Sequence, residues 1–179
     1  PFGGFTLDDY TVTASLDTST AFNENIYVNG GSIYLASNFK FTGDNVFSNS
    51  GDIHLSNRKL TFGILDTTWS NSIYWDGDGA VIKFGANIAL SATWTFSNNI
   101  TIDGGGFELD LGSSGSLVVE NGATLRFKNL VLEEVSDERL FCLGDDAVII
   151  FDNCTVDFED DYFFKQGSLW FAENNAFYG

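Results

Sequence analysis

Apolar and polar positions alternate along this chain in short bursts. Ile26-Tyr27-Val28, Ser32-Ile33-Tyr34-Leu35, Asp52-Ile53-His54-Leu55 and Lys59-Leu60-Thr61-Phe62 come first. Ala80-Val81-Ile82-Lys83-Phe84, Asn99-Ile100-Thr101-Ile102 and Phe107-Glu108-Leu109-Asp110-Leu111 follow. Ser116-Leu117-Val118-Val119, Ala123-Thr124-Leu125-Arg126-Phe127 and Ala147-Val148-Ile149-Ile150-Phe151 continue the series. The bursts are rich in β-branched and aromatic residues, and Gly, Asn, Asp and Ser separate them. Successive side chains of a strand point to opposite faces, so this pattern predicts many short strands joined by turns. No window carries the i, i+3, i+4, i+7 stripe of an amphipathic helix. The stretch Leu132 to Leu140 reads either as one helical turn or as an insertion loop.

The bursts also recur at an interval. Phe41, Phe62, Phe84, Phe107, Phe127, Phe151 and Phe171 are separated by 21, 22, 23, 20, 24 and 20 residues, and their flanks agree. Gly79-Ala80-Val81-Ile82-Lys83-Phe84 matches Gly122-Ala123-Thr124-Leu125-Arg126-Phe127. Asp146 to Phe151 and Gln166 to Phe171 fit the same mould. Ala92-Thr93-Trp94-Thr95-Phe96-Ser97-Asn98 carries the motif out of phase, which implies two similar faces per coil or an irregular coil there. A repeat of about 22 residues built from short strands is the signature of a parallel β-solenoid. Each coil pairs with its neighbours at about 4.8 Å, and equivalent inward side chains stack along the axis. We therefore expect an all-β fold, a single-stranded parallel β-solenoid (right-handed β-helix) filling residues 1–179 as one domain. It should have roughly eight coils, with the seven phenylalanines as its core stacking ladder. Proline deletes a ladder donor, and the chain has one, at position 1.

Composition narrows the function classes. The 179 residues are 44% apolar and 18% charged, which suits one packed domain or repeat array and not a disordered chain. Acids outnumber bases 25 to 8, a net charge of −17. Such a surface does not neutralise nucleic-acid phosphates or dock on an anionic membrane. The apolar runs are too short to span a bilayer as helices. The opening Pro1-Phe2-Gly3-Gly4-Phe5, without Met or leader pattern, reads as a mature or excised segment. Cys142 and Cys154 form no C-x-x-C pair. They read as two small buried hydrophobes or as one disulfide, and the redox compartment stays open.

Asn99-Ile100-Thr101-Ile102-Asp103-Gly104-Gly105-Gly106-Phe107 resembles the "ITIDGGG" segment of right-handed parallel β-helix proteins of the pectin-lyase-like superfamily. Gly115 to Leu130 resembles passenger regions of bacterial surface adhesins and autotransporters. The resemblance covers Ala92 to Val156, and the rest of the chain shares only the rhythm. It implies the fold more than an activity, because that superfamily holds lyases, hydrolases, tailspikes, adhesins and structural fibres. The lyases, as the resemblance implies, hold calcium with acids and use an Arg or Lys as base; the hydrolases use clustered Asp residues.

Candidate chemistry is thin. His54 should face outward between inward Ile53 and Leu55, as a solvent-facing strand residue, and without a second His it makes no histidine metal site. G-x-S-x-G and H-E-x-x-H are absent. The carboxylates that general acid-base work would draw on are Asp76 with Asp78, Asp103, and Glu108 with Asp110. Asp76-Gly77-Asp78-Gly79 opens like a calcium loop but lacks the third acid and the distal Glu, so it reads as a turn. Arg126 and Lys128 point outward and approach Arg58 or Lys83 only if the coils align. Residues 103–179 hold 16 acids and 4 bases, Asp157-Phe158-Glu159-Asp160-Asp161 among them. This charge should serve solubility and keep edges from unwanted pairing, with no more than weak, non-specific calcium binding. Thr11 with Thr13 and Thr93 with Thr95 are outward pairs, too sparse for an ice-binding array. Asn99 and Asn153 sit in glycosylation sequons within strand patterns, where chance matches are the expected reading. Trp69, Trp75, Trp94 and Trp170 offer either sugar platforms or core.

The expectation for function follows from solenoid ends. Bare terminal coils expose an apolar bore and unpaired N–H and C=O groups, and neither end carries a capping helix pattern. We expect an extracellular or cell-surface structural protein that stacks head-to-tail with itself into a fibre or stalk, without catalysis and without a cofactor. The alternatives are a carbohydrate-active enzyme of lyase or hydrolase type, or a glycan-binding or cell-binding adhesin of the same fold.

Overall fold

The computed structural model describes residues 5–8, 11–14, 26–29, 32–35, 38–40, 48–49, 52–61, 67–70 and 72–179. Every strand pair in it is parallel, with register offsets from 20 residues (Ile82 to Ile102) to 25 (Ile102 to Phe127). The described residues form a β-solenoid of about 6 turns, roughly the coil count that length divided by period suggests. Among the described residues there is no helix.

Three long sheets run along the axis. The first face stacks Thr11–Ala14, Ser32–Leu35, Asp52–His54, Ile73–Asp76, Thr93–Ser97, Ser116–Val119 and Leu140–Cys142. The second stacks Phe39–Lys40, Lys59–Thr61, Ala80–Lys83, Asn99–Asp103, Thr124–Lys128, Val148–Asp152 and Ser168–Phe171. The third stacks Thr67–Trp69, Ile88–Leu90, Glu108–Asp110, Val131–Val135, Thr155–Phe158 and Ala176–Tyr178. A short fourth sheet joins Phe5–Asp8, Ile26–Asn29 and Ser48–Asn49. The out-of-phase motif at 92–98 thus belongs to a second, similar face of the coil.

The core is a set of axial columns. On the first face Ile53, Trp75, Phe96, Val119 and Cys142 are aligned and buried. On the second the aligned column is Phe39, Leu60, Ile82, Ile102, Phe127, Phe151 and Phe171. This revises the expected ladder. Phe127, Phe151 and Phe171 do stack, with centroids 5.4 and 5.9 Å apart and planes 17° and 10° from parallel. Phe84 and Phe107 are not in that column. Phe84 is buried at the corner after Ala80–Lys83, where its N–H bonds Asp103 O, and Phe107 lies past Gly104, 38% exposed. Phe41 and Phe62 lie outside the described residues. The corners differ in length from coil to coil, so equal sequence spacing is not equal register, and the bore asks only for an apolar side chain at each level.

Asparagines hold the corners. Asn98, Asn129, Asn153 and Asn174 take φ of 61°, 49°, 57° and 59°. Asn tolerates this left-handed region better than most residues because its short polar side chain bonds nearby backbone. Other asparagines brace one coil against the next. The Oδ1 atoms of Asn38, Asn87 and Asn121 accept the N–H groups of Lys59, Glu108 and Asp146 at 2.8, 3.1 and 3.2 Å. Gly104 and Gly115 are needed for close approach. A Cβ at Gly104 would lie 2.5 Å from Leu130 Cδ1, and one at Gly115 would run into the carbonyl oxygens of Leu90 and Leu111.

The stretch from Leu132 to Leu140 is neither helix nor loop. It is the strand Val131–Val135, a turn, and the start of Leu140–Cys142. Its register against Thr155–Phe158 shifts between Leu132 and Val135, and Glu134 sits at φ 58°. Such an irregularity leaves a carbonyl without its ladder partner. The Arg139 guanidinium supplies one, donating to Glu134 O at 2.8 Å. The acid-rich sequence hid this strand because the irregularity breaks period-two alternation.

Gly115→Ala is expected to destabilise the fold by about 1–3 kcal/mol, the usual cost of forcing extra volume into packed structure. Denaturant titration of the parent and the variant checks this.

Candidate functional site

Outward side chains on the first face form a continuous polar network. The register sets Tyr34, His54, Asp76 and Ser97 in one line, one residue per coil. His54 Nδ1 lies 2.8 Å from Asp76 Oδ2. A carboxylate only accepts, so Nδ1 carries the proton. Asp76 Oδ1 accepts from Ser97 Oγ at 3.1 Å and from Asn98 Nδ2 at 2.6 Å. Tyr34 stacks on the His54 ring, centroids 4.3 Å apart and 10° from parallel. One line over, the Tyr74 hydroxyl donates to Glu120 Oε2 at 2.7 Å. His54 does face outward, as expected, but it is half-buried and held. Burial opposes ionisation of Asp76, yet the hydrogen bonds from His54, Asn98 and Ser97 outweigh it and keep the carboxyl below its ordinary range. For Tyr74 the Ser97 hydrogen bond lowers the phenol's pKa. Burial and the Glu120 carboxylate win, and the group sits above its ordinary value.

The second face carries alternating charge. Lys83, Asp103, Lys128 and Asp152 occupy one outward line in register. Lys83 Nζ lies 3.4 Å from Asp103 Oδ2, and Arg126 lies 3.1 Å from Asp152 Oδ2. The coils align, as the sequence reading required for these bases to meet anything, but Lys83 and Arg126 pair with acids, Lys128 sits in register between Asp103 and Asp152, and the three do not gather into one basic site. Asp103, in the glycine-rich segment, accepts from Gly105 N at 3.2 Å and Asn129 Nδ2 at 3.3 Å. Burial again opposes its ionisation, and these bonds together with Lys83 keep its pKa low.

The third face concentrates acid. Asp110 is in register with Glu133. Burial, with the charges of Glu108, Asp110 and Asp157, raises the Glu133 carboxyl. So Glu108 and Asp110 meet a third and a fourth acid, whereas Asp78 only accepts from Asn99 Nδ2, at 2.6 Å. Among the described residues no group of three His, Cys, Asp or Glu side chains is placed to hold a metal ion.

Other candidates fall into structural places. Trp69, Trp75 and Trp94 are buried, with Trp94 edge-on to the other two at 5.7 and 5.3 Å, so only Trp170 is open to solvent. The sequon amides are engaged, Asn99 with Asp78 and Asn153 with Asn129 Oδ1 at 2.8 Å. Thr93 Oγ1 bonds Ser116 Oγ at 2.8 Å, and Thr95 is flanked in register by Tyr74 and Val118, so no threonine array forms there. The side chains of Thr11 and Thr13 lie outside the described set. Cys142 and Cys154 are free and buried, and burial pushes the Cys142 thiol up to about 11.

The strands Ser168–Phe171 and Ala176–Tyr178, in the aromatic C-terminal stretch, form a distinct surface. Phe171 and Phe177 hold bore positions, in register with Phe151 and Val156, which are buried. Yet Phe171 is 58% and Phe177 43% exposed, since their strands are the outermost described in their sheets. They wall a cavity of about 740 Å³ with Phe158, Tyr162, Leu169 and Tyr178; Glu159, Asp160 and Asp161 line it too. The first face stops at Leu140–Cys142, and residues 159–167 cross in place of its next strand. Tyr162 pins this crossing, its hydroxyl donating to Leu140 O at 2.7 Å, a carbonyl on the sheet's outer edge. Burial holds the Tyr162 phenol well above its ordinary range.

No protein-family model matches the chain, and no curated protein or solved structure matches it. The class assignment, a parallel β-solenoid, therefore rests on the strand register itself.

A carboxyl held below its unfolded-state pKa stabilises the fold above that value and gives up the contribution as pH falls through its folded pKa. Asp76 and Asp103 have this sign. Asp76→Asn should cost about 1–2 kcal/mol at neutral pH, the scale of hydrogen bonds to a charged group, and the difference from the parent should shrink on acidification. Glu133 has the opposite sign. Its ionisation penalises the fold at neutral pH, and protonation as pH drops through its raised pKa removes the penalty. Glu133→Gln should add about 0.5 kcal/mol at neutral pH, as for a relieved cross-strand like-charge pair, and nothing in acid. Urea titrations across a pH series read both.

Proposed function

We propose that this chain is an extracellular or cell-surface structural β-solenoid whose copies stack head-to-tail into a fibre or stalk, and that it is not a catalyst. The observation that carries the reading is the aromatic edge presented by the outermost described strands. Bore-position rings Phe171 and Phe177 face solvent, and the strands Ser168–Phe171 and Ala176–Tyr178 are the outermost of their sheets. A second copy translated along the axis brings the opposite outermost strands of the same two sheets, Phe39–Lys40 and Thr67–Trp69, in the same direction. That contact is heterologous and does not close, so it propagates. Aromatic side chains bury roughly 150–250 Å² each, so Phe171, Phe177 and Tyr178, about half exposed, supply on the order of 300 Å². The strand edges and the crossing at 159–167 add to this, toward the roughly 800 Å² per partner of a stable interface. The extracellular setting is supported by the resemblance of 99–107 and 115–130 to secreted β-helix and passenger segments.

Phe171→Glu with Phe177→Glu should abolish rods seen by negative-stain electron microscopy. The far-UV circular dichroism should be unchanged, since both side chains are about half exposed and lie on the outermost described strands. Rods that persist in the double variant, or monodisperse particles from the parent chain under all conditions, would remove the basis of the reading.

A second reading is favoured by one observation, the outward network from Tyr34 to Glu120. Imidazole, carboxylates and tyrosines in line on a flat face suit a glycan, by hydrogen bonds to hydroxyls and ring stacking, with His54, Asp76 and Glu120 as the acid-base groups of a carbohydrate-active site. Incubation with neutral and acidic polysaccharides tests it. Reducing-end or unsaturated products that vanish in Asp76→Asn would replace the structural reading.

A further inference from the structure

We propose that the second face is a self-association surface, on which a second copy of this chain docks face to face with its axis reversed. This goes beyond end-on stacking and does not rest on it. The chain carries a net −17, yet of its eight Lys and Arg residues Lys40, Lys59, Lys83, Arg126 and Lys128 stand on the strands of this face, with Asp103 and Asp152 as its acids. Here two strongly acidic molecules approach with least repulsion. Two outward columns run along the face. One is Lys83, Asp103, Lys128 and Asp152; the other is Lys59, Val81, Thr101, Arg126, Ile150 and Trp170. Trp170 is 63% exposed, and Val81 and Ile150 are half-buried. Lys128 is exposed and makes no ion pair among the described residues, although it lies in register between two carboxylates.

The charged column reads plus, minus, plus, minus along the axis, so its reversal reads minus, plus, minus, plus. A two-fold axis parallel to the strands, passing between Asn99–Asp103 and Thr124–Lys128, lays the column on its own reverse. Lys83 then meets Asp152 of the second copy, and Asp103 meets Lys128 of the second copy. The same operation sets Val81 against Ile150, Thr101 against Arg126, and Lys59 against Trp170, a cation on an aromatic face. No cation meets a cation and no acid meets an acid. A copy docked at the same height with its axis parallel would instead put Lys128 on Arg126. A copy docked by its third face would set Glu108, Asp110 and Glu133 against Asp103 and Asp152 as well as against the bases. At 0.15 M salt the Debye length is about 8 Å, so charge on the remote faces is screened while pairs at contact distance persist. From Lys59–Thr61 to Ser168–Phe171 the face runs about 24 Å along the axis, at about 4.8 Å per coil, and is two columns wide. That is less than the roughly 800 Å² per partner of a stable interface, so the pair is weak and reversible.

The test is sedimentation equilibrium of the full chain at neutral pH and about 0.15 M salt, carrying Phe171→Glu with Phe177→Glu so that end-on contact does not contribute. A mass that rises with concentration and levels off at a dimer is expected. Lys83→Glu and Asp152→Lys should each weaken the dimer roughly tenfold, since the two-fold repeats every contact. Lys83→Glu combined with Asp152→Lys should return it to within about threefold of the starting value. Within one chain these positions stand three coils apart. Each change upsets its own neighbour, Asp103 or Arg126, and only a contact between copies lets one change repair the other. Trp170→Ala, at an exposed site, should also weaken the dimer, and a dimer unaffected by it would overturn the pairing. Losses that add in the charge-swapped double variant, or a monomer at every concentration, would overturn it too; rods from the parent chain would then leave end-on stacking standing. Growth past the dimer that Glu108→Gln with Asp110→Asn abolishes would overturn it in favour of second face against third.

Discussion

Everything in this molecule hangs on the parallel hydrogen-bond ladder between coils. Each strand gives its N–H and C=O groups to the coil on either side, at offsets of 20 to 25 residues, and so fixes the vertical spacing of every side chain. Once that spacing exists, residues remote in sequence meet one above the other. Inward, they stack as Phe127, Phe151 and Phe171; outward, they pair as Lys83 with Asp103 or His54 with Asp76. Contacts of this kind are non-local in sequence but nearest-neighbour along the axis. A substitution is therefore felt mainly by the coils directly above and below.

The same ladder explains how the polar surface is organised. A flat parallel sheet displays outward residues in straight lines, so hydrogen bonds and ion pairs run axially and satisfy one another. The Tyr34–His54–Asp76–Ser97 line and the alternating Lys83–Asp103–Lys128–Asp152 line are both of this type. The geometry breaks where the ladder ends. There the bore rings lose their upper neighbours, the crossing at 159–167 takes the place of a strand, and acids stand beside aromatic surface.

Much of the fold was legible. Period-two bursts located Ala80–Lys83, Asn99–Asp103, Thr124–Lys128 and Val148–Asp152, since a half-buried strand must alternate. The motif at 92–98, out of phase with the rest, announced a second face. Val131–Val135 was missed, because an irregular register with Glu134 in the left-handed region destroys alternation. The phenylalanine ladder was half right for a related reason. Spacing counts residues, but register counts ladder rungs, and corners such as Gly104–Gly106 take up a variable number of residues between rungs. The open end was foreseen only in outline, since which aromatic residues wall it depends on how 159–167 crosses the bore.

What the sequence determined by itself is the local period: which residues alternate, where turns fall, and that equivalent strands return after about 22 residues. Those are properties of neighbouring backbone and side chains, and they survive in one dimension. Which side chains meet was decided only by tertiary structure. His54 finds Asp76 and Arg126 finds Asp152, 22 and 26 residues away, because the ladder sets their height. Phe171 is exposed in a bore position because burial depends on the coil above it, and no local pattern encodes that.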